Sequence, residues 1–239
     1  MAKDRTNIPA PALNGEVSSR DEIAAFVQKV KSLGPAVSAG RRGRLVFALD
    51  ATMSRQPTWD AACRLQAEMF TEAANSGGLD VQLVYYRGLS ECRASSWVSD
   101  PKQLAALMER IDCRGGHTQI RRVLGHALAE GASRIQALVF VGDAMEEPVD
   151  DLCSAAGEMG LRSIPAFMFQ EGSDPIAERA FREVARLSGG AYCRFAAGAA
   201  HQLRELLRAV AAYASGGRKA LELTARNNAS AVALLKQMT

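Results

Sequence analysis

Two hydrophobic periods alternate along this chain. Leu45-Val46-Phe47-Ala48-Leu49 and Leu138-Val139-Phe140-Val141 are unbroken apolar runs, as expected of strands buried on both faces of a parallel sheet. Between and after such runs, apolar positions recur at helical spacing. The pattern predicts a strand over Leu45–Leu49, a helix near Trp59–Ala74 broken by Gly77-Gly78, and a strand over Asp80–Tyr86. A short strand near Glu91–Ala94 should pair with the last as an edge hairpin. Helices follow over Pro101–Ile111 and Ile120–Ala129, then a strand over Gln136–Val141 and a helix entered through Pro148 that ends near Gly157–Gly160. Next comes a strand over Ser163–Phe169. Asp174-Pro175 supplies an N-cap with proline at the first helical position, and Gly189-Gly190 closes that helix. A strand over Ala191–Arg194 and a helix over His201–Tyr213 complete the series. Alternation of this kind predicts an α/β, doubly wound, mainly parallel six-stranded sheet with helices on both faces.

The flanks read differently. Residues 1–40 are expected to hold a disordered start and an accessory helix. Ser19-Arg20-Asp21-Glu22 matches a capping box, Ile23, Phe26, Val27, Val30 and Leu33 follow at helical spacing, and Gly34-Pro35 stops the run. The domain proper occupies 41–214. Residues 215–239 form a C-terminal tail, partly helical, which opens on an expected hinge at Ser215-Gly216-Gly217. The tail carries Leu221, Leu223, Val232, Leu234 and Leu235, enough apolar surface to dock on the domain or on a partner.

Composition narrows the picture. The 239 residues are 48% hydrophobic and 23% charged, an ordinary globular balance. With 29 basic against 26 acidic side chains, the net charge of +3 gives no warrant for nucleic-acid binding. Arg41-Arg42-Gly43-Arg44 and Arg121-Arg122 read as solvated surface. Met1–Gly15 has no apolar targeting core, and nothing approaches the ~20 apolar residues of a membrane span. Cys63, Cys92, Cys113, Cys153 and Cys193 are scattered and odd in number, without a CxxC pair. A disulfide framework and a zinc site are therefore not expected, and a cytoplasmic location is.

The chemistry concentrates where the first strand ends. Asp50 follows the apolar run directly, with hydroxyls at Thr52 and Ser54. The loop after a strand's carboxyl end is where open α/β sheets place ligands. A carboxylate with two hydroxyls is a hard oxygen donor set of the kind Mg2+ requires. Gly115-Gly116-His117-Thr118 brings another hydroxyl behind a glycine pair, and Leu138–Gly142 is a second apolar strand ending in Asp143.

D-x-T-x-S, then GGxT, then an apolar strand ending in Asp, resembles the von Willebrand factor A (VWA) family with its metal-ion-dependent adhesion site. The resemblance covers about Arg44 to Ala214 and implies the Rossmann-like VWA fold. It implies that Asp50, Thr52, Ser54, Thr118 and Asp143 surround one Mg2+ (or Mn2+). Two departures stand out: Thr52 occupies a position where serine is commoner, and Asp143 lies in Gly-Asp-Ala rather than Thr-Asp-Gly. The resemblance further implies an intracellular adaptor whose ion bridges to an Asp or Glu of a partner protein. By family analogy that partner is an AAA+ ATPase or a chaperone.

Around this core, His117, Met53, Glu146 and Glu147 are candidates for the rim. Glu146 and Glu147 could instead favour the first turn of the helix after Pro148, and Trp59 could form an apolar lip or simply pack in the core. His126 and His201 are expected to be structural, and Asp50 to serve the ion rather than the core. Two other readings exist. One is a haloacid-dehalogenase-like phosphatase or phosphotransferase using Asp50, but the second acid it wants two residues on is replaced by Thr52. The other is a VWA scaffold that has lost its metal. G-x-G-x-x-G opening a helix, GxxxxGK[ST], G-x-S-x-G and HExxH are all absent from the sequence.

Overall fold

Unbroken apolar runs become the interior strands. The computed structural model describes residues 21–22, 24–25, 42–74, 78–130, 135–196 and 199–224. Its strands are β1 (Gly43–Asp50), β2 (Leu79–Arg87), β3 (Glu91–Ala94), β4 (Ala137–Gly142), β5 (Ala166–Glu171) and β6 (Ala191–Phe195). Its helices are α1 (Gln56–Ala74), α2 (Pro101–Met108), α3 (Ile120–Glu130), α4 (Val149–Leu161), α5 (Pro175–Ser188) and α6 (Ala200–Thr224). The strands form one sheet in the order β3-β2-β1-β4-β5-β6. Only β3 is antiparallel to its neighbour; β2 to β6 otherwise run parallel with β1.

Side chains of each strand alternate between the two faces. Leu45, Phe47 and Leu49 join Val81, Val139 and Phe167 on one face, against α1, α2 and α6. Val46 and Ala48 join Leu138, Phe140 and Met168 on the other, against α3, α4 and α5. Both faces are therefore covered, which explains why β1 and β4 read as continuous rather than alternating. Phe140 shows how tightly the second face is filled. Its ring stacks on Tyr86 at 6.2 Å and meets Phe181 edge-on at 5.4 Å.

Chain direction fixes where a ligand could sit. From β1 the chain moves outward through β2 and β3, then returns to β4 on the other side of β1. The connections leaving β1 and β4 therefore part company, opening a crevice at the carboxyl edge of the sheet.

Three local expectations change. Ser215-Gly216-Gly217 is no hinge, because α6 runs unbroken from Ala200 to Thr224. Ser215 is buried and donates its hydroxyl to Ala212 O at 3.2 Å. Ahead of it, Ala214 lies so close to β1 that a Cβ on Gly43 would fall 2.0 Å from Ala214 O. That packing outweighs the ~1 kcal/mol cost of a helical glycine. Secondly, β5 begins at Ala166 rather than Ser163: Ser163 takes a left-handed φ of 57° in the turn that ends α4. Thirdly, α2 ends at Met108, and the turn to Ile111 is closed by an Ile111 N–H to Met108 O bond. Of the accessory N-terminal helix, residues 21, 22, 24 and 25 are helical; the rest of it, and the tail beyond Thr224, lie outside the described residues.

Candidate metal centre

At the end of β1 the chain turns on a carboxylate. Asp50 Oδ1 accepts from the Thr52 N–H at 2.7 Å, the local bond by which aspartate folds a loop back on itself. Residues Met53–Arg55 then form one 3-10 turn leading into α1. Folded this way, the Thr52 and Ser54 hydroxyls lie 3.3 Å apart. Ser54 Oγ also donates to Asp143 Oδ2 at 3.1 Å, joining the ends of β1 and β4 across the crevice.

The third segment is held from three sides. Arg114 N–H donates to Ala51 O at 3.0 Å, and His117 N–H donates to Gly88 O at 3.2 Å. Gly116 must be glycine, since a Cβ there would stand 2.1 Å from Gly88 O. Thr118 and Glu146 then clamp each other. Thr118 N–H donates to Glu146 Oε2 at 3.1 Å, while Glu146 N–H donates to Thr118 Oγ1 at 3.0 Å.

Asp50, Thr52, Ser54, Thr118 and Asp143 consequently line one cleft of about 210 Å³, with Met53 and Glu146 also on its wall. His117 is exposed and turns its Nδ1 to Glu146 Oε2 at 3.0 Å, outside the cleft lining. Met53 is 63% exposed. Trp59 belongs to the core, 2% exposed, with its indole N–H on Met108 O. His126 bonds to Gln82 Oε1.

Glu147 serves a different helix from the one that its place in the chain suggests. Rather than the helix after Pro148, it caps α3, its two oxygens accepting from the Ile120 and Arg121 N–H groups. A carboxylate at a helix N-terminus suits both the orphan donors and the helix dipole. Chain distance hid this pairing, because the helix it serves starts 27 residues earlier.

Tyr86 and Arg55 are the other residues that the sequence did not reveal. The buried Tyr86 hydroxyl donates to Asp50 Oδ2 at 3.0 Å. Asp50 is itself only 2% exposed, so it serves the packed interior as well as the cleft. Burial raises its pKa above the ordinary carboxylate value; Asp143 adds to the rise, while hydrogen bonds from Thr52 and Tyr86 oppose it. Burial likewise pushes the Tyr86 phenol well up, helped by the Asp50 charge. Arg55 lies beneath the loop, 2% exposed, and pairs with Glu171 at the end of β5. Burial lowers its pKa, against the attraction of Asp143 and Asp50.

These contacts fit a small hard cation on the chemistry of the donors. Octahedral Mg2+ at ~2.1 Å sets neighbouring ligand oxygens roughly 3.0 Å apart. Thr52 Oγ1, Ser54 Oγ and Asp143 Oδ2 are spaced at 3.3 and 3.1 Å. Thr118 is the least prepared of the five, since its hydroxyl is already an acceptor for Glu146 N–H. Among the described residues no cluster of three or more His, Cys, Asp or Glu could hold a metal. Three of the five donors here are hydroxyls, so the cleft offers a cation two aspartates and three neutral oxygens.

Comparison with solved structures places the fold. The chain is similar to the VWA domain of SpRpn10, at 14% identity and a TM-score of 0.54 over 70% of this chain and 94% of that one. It is also similar to the pilus adhesin SpaC from Lactobacillus rhamnosus GG (9% identity, TM-score 0.55, 74% of this chain and 30% of that one). The human COPII-coat protein Sec24c matches at 12% identity and a TM-score of 0.51, over 77% of this chain and 34% of that one. The fold is VWA-like. No protein-family model and no curated protein matches the sequence. No helix among the described residues is long and apolar enough to cross a membrane.

Proposed function

We propose that this chain is a protein-interaction module that binds a partner through one Mg2+ (or Mn2+), rather than an enzyme. The observation that carries the reading is the convergence of all five oxygen donors on one cleft at the β1/β4 crevice. Asp50, Thr52, Ser54, Thr118 and Asp143 would hold the ion. Bound there, the ion supplies an electrophilic position for an Asp or Glu carboxylate of the partner.

The chain's own residues prepare that position. Thr52 N–H and Tyr86 O–H each fix one oxygen of Asp50, so the carboxylate is aimed before any ion arrives. Ser54 ties the two strand ends together, and the Thr118–Glu146 clamp sets the distance of the glycine loop. The raised Asp50 pKa means that its negative charge is disfavoured by burial, and a cation would relieve that cost. By analogy with VWA-type adaptors, the partner is an acidic surface on an AAA+ ATPase or chaperone in the cytoplasm.

The test is direct ion binding. Mn2+ titrated into the full chain should lose its free-ion electron paramagnetic resonance signal stoichiometrically, and excess Mg2+ should restore it. Asp50→Asn should abolish the effect. A wild-type chain that leaves the Mn2+ signal unchanged would overturn the reading in favour of a metal-free scaffold.

A further inference from the structure

Most glycines among the described residues have a structural reason; Gly157, within α4, and Gly115 do not, and of these two it is Gly115 that lines the cleft. Gly116 is demanded by Gly88 O, whereas a Cβ on Gly115 would meet nothing within 4 Å. Nor does Gly115 have the positive φ that occurs at Gly78, Gly88, Gly172 and Gly189. A bare backbone at an exposed, unstrained position is what close approach by another chain would use.

Its surroundings are suited to such an approach. Four of the five exposed large hydrophobics among the described residues sit at the carboxyl edge of the sheet: Met53 after β1, Leu89 after β2, Val149 opening α4 and Ile176 in α5. Only Leu161 lies at the opposite edge. Met53, 63% exposed, shares the cleft with Gly115, and Leu89, 78% exposed, follows the Gly88 on which Gly116 rests. Arg114 precedes Gly115 with its side chain 60% exposed; it reaches Asp112 only at 3.9 Å, and Asp112 is itself 80% exposed. Together these residues mark a strip beside the acidic cleft: Met53 and Gly115 line the cleft itself, Leu89 adjoins its glycine floor through Gly88, and the exposed Arg114 precedes that floor in the chain.

We propose that this strip is the docking trough for an extended acidic-apolar segment of the partner protein. One carboxylate of the segment enters the cleft, a bulky apolar side chain lies between Met53 and Leu89, and a second acid meets Arg114. The inference rests on the metal-bridged reading and specifies the partner's chemistry. An acidic segment is selected twice, once by the ion and once by the guanidinium, and charge complementarity of this kind governs specificity more than raw affinity. The apolar side chain supplies the anchor that a lone carboxylate lacks.

A random 12-residue phage-displayed peptide library, selected on the full chain in Mg2+, tests it. Selected peptides should carry an Asp or Glu with a bulky apolar residue and a second acid close by, and should release in EDTA. Leu89→Ser should weaken them about tenfold or more, as removal of a buried leucine contact would, with Mn2+ binding retained. Gly115→Ala should weaken them comparably without lowering the thermal midpoint. Reselection on Arg114→Glu should remove the preference for the second acid. Peptides without the acidic-apolar pattern, or peptides that bind Leu89→Ser and Gly115→Ala as well as wild type, would overturn the trough. So would failure to enrich any peptide while Mn2+ still binds. Loss of Mn2+ binding by the wild type would instead remove the metal reading beneath it, and the two failures are thereby told apart.

Discussion

Acidic residues gather at two places along the same edge of the sheet, and they are treated in opposite ways. At β5 and its following helix, each buried acid faces an arginine. Glu171 pairs with Arg55 and accepts from Thr58, while Glu178 pairs with Arg182 at 2.7 Å and Arg194 at 3.3 Å. At β1 and β4, Asp50 and Asp143 accept only from neutral donors among the described residues: Thr52 N–H, Tyr86 O–H and Ser54 O–H. The first region is closed electrostatically by the chain itself. The second has its oxygens positioned but its charge uncompensated by a direct ion pair among the described residues, while Arg55, which feels the charge of both aspartates, is committed to Glu171. Aimed but unneutralised carboxylates are what a cation site requires, and that difference separates a site from a structural network.

Breaking the closed region should have the largest effect. Arg55→Met leaves Glu171 buried with Thr58 as its remaining side-chain donor among the described residues, and loss of one partner of a buried pair costs about 3–5 kcal/mol. For a domain of this size that lowers the thermal midpoint by roughly 10 °C. The double variant Arg55→Met/Glu171→Met should recover most of the loss, since replacing both charges with apolar groups is commonly near neutral. A single variant as stable as wild type in chemical denaturation would show that the pair contributes nothing.

The open region should respond with the reverse sign. Without metal, the ionised Asp50 is a cost, because burial raises its pKa. An acid with a raised folded-state pKa contributes stability that is complete below its unfolded value and lost as pH rises through the folded one. Asp50→Asn should therefore be more stable than wild type at pH 7 in EDTA, with the difference closing towards pH 3.8, the ordinary value for the group. Asp50→Ala should be about 1–3 kcal/mol less stable than Asp50→Asn, because it strands the Thr52 N–H and the buried Tyr86 hydroxyl. Equal stability of the two variants would mean that those hydrogen bonds are not fixed by Asp50.

Metal should then neutralise what the chain does not. At ten times its dissociation constant, Mg2+ should stabilise the wild type by about 1.4 kcal/mol, a rise of roughly 3–5 °C in the midpoint, with no rise in Asp50→Asn. A wild-type midpoint that is the same in Mg2+ and EDTA would equate the two regions and remove the proposed site.

How much of this the sequence carried depends on the range of each interaction. Strand and helix order was readable because apolar period and capping are local: Asp174 caps α5 and Gly189 closes it in the left-handed conformation that the glycine pair indicated. The D-x-T-x-S turn was readable for the same reason, as its first bond spans two residues. Tyr86 reaches Asp50 from 36 residues away along the chain, and Glu171 meets Thr58 in the closed region from 113 residues away, through sheet register and helix packing that no local pattern encodes. The glycine pair at 216–217 misleads because local propensity carries no sign that Ala214 presses against β1. Arg55 was invisible in a subtler way. An arginine beside a polar loop reads as solvated, and only its depth in the fold shows that it is the cation which closes the neighbouring region.

Glu147 offers the finest division between the two kinds of acid, because it sits in the open region yet is already in use. Its oxygens accept from the first N–H groups of α3, at 2.9 Å for Arg121, so its charge is met by the helix terminus rather than left for an ion. Glu147→Ala should therefore cost about 1 kcal/mol, the usual value of a helix cap, and a few degrees in the midpoint. The further stabilisation by Mg2+ should be undiminished, because the five donors keep their places around the cleft without it. If denaturation in EDTA and in Mg2+ converged in this variant, Glu147 would belong to the ion's surroundings, and the boundary between structural and available carboxylates would have to be drawn one residue closer to α4.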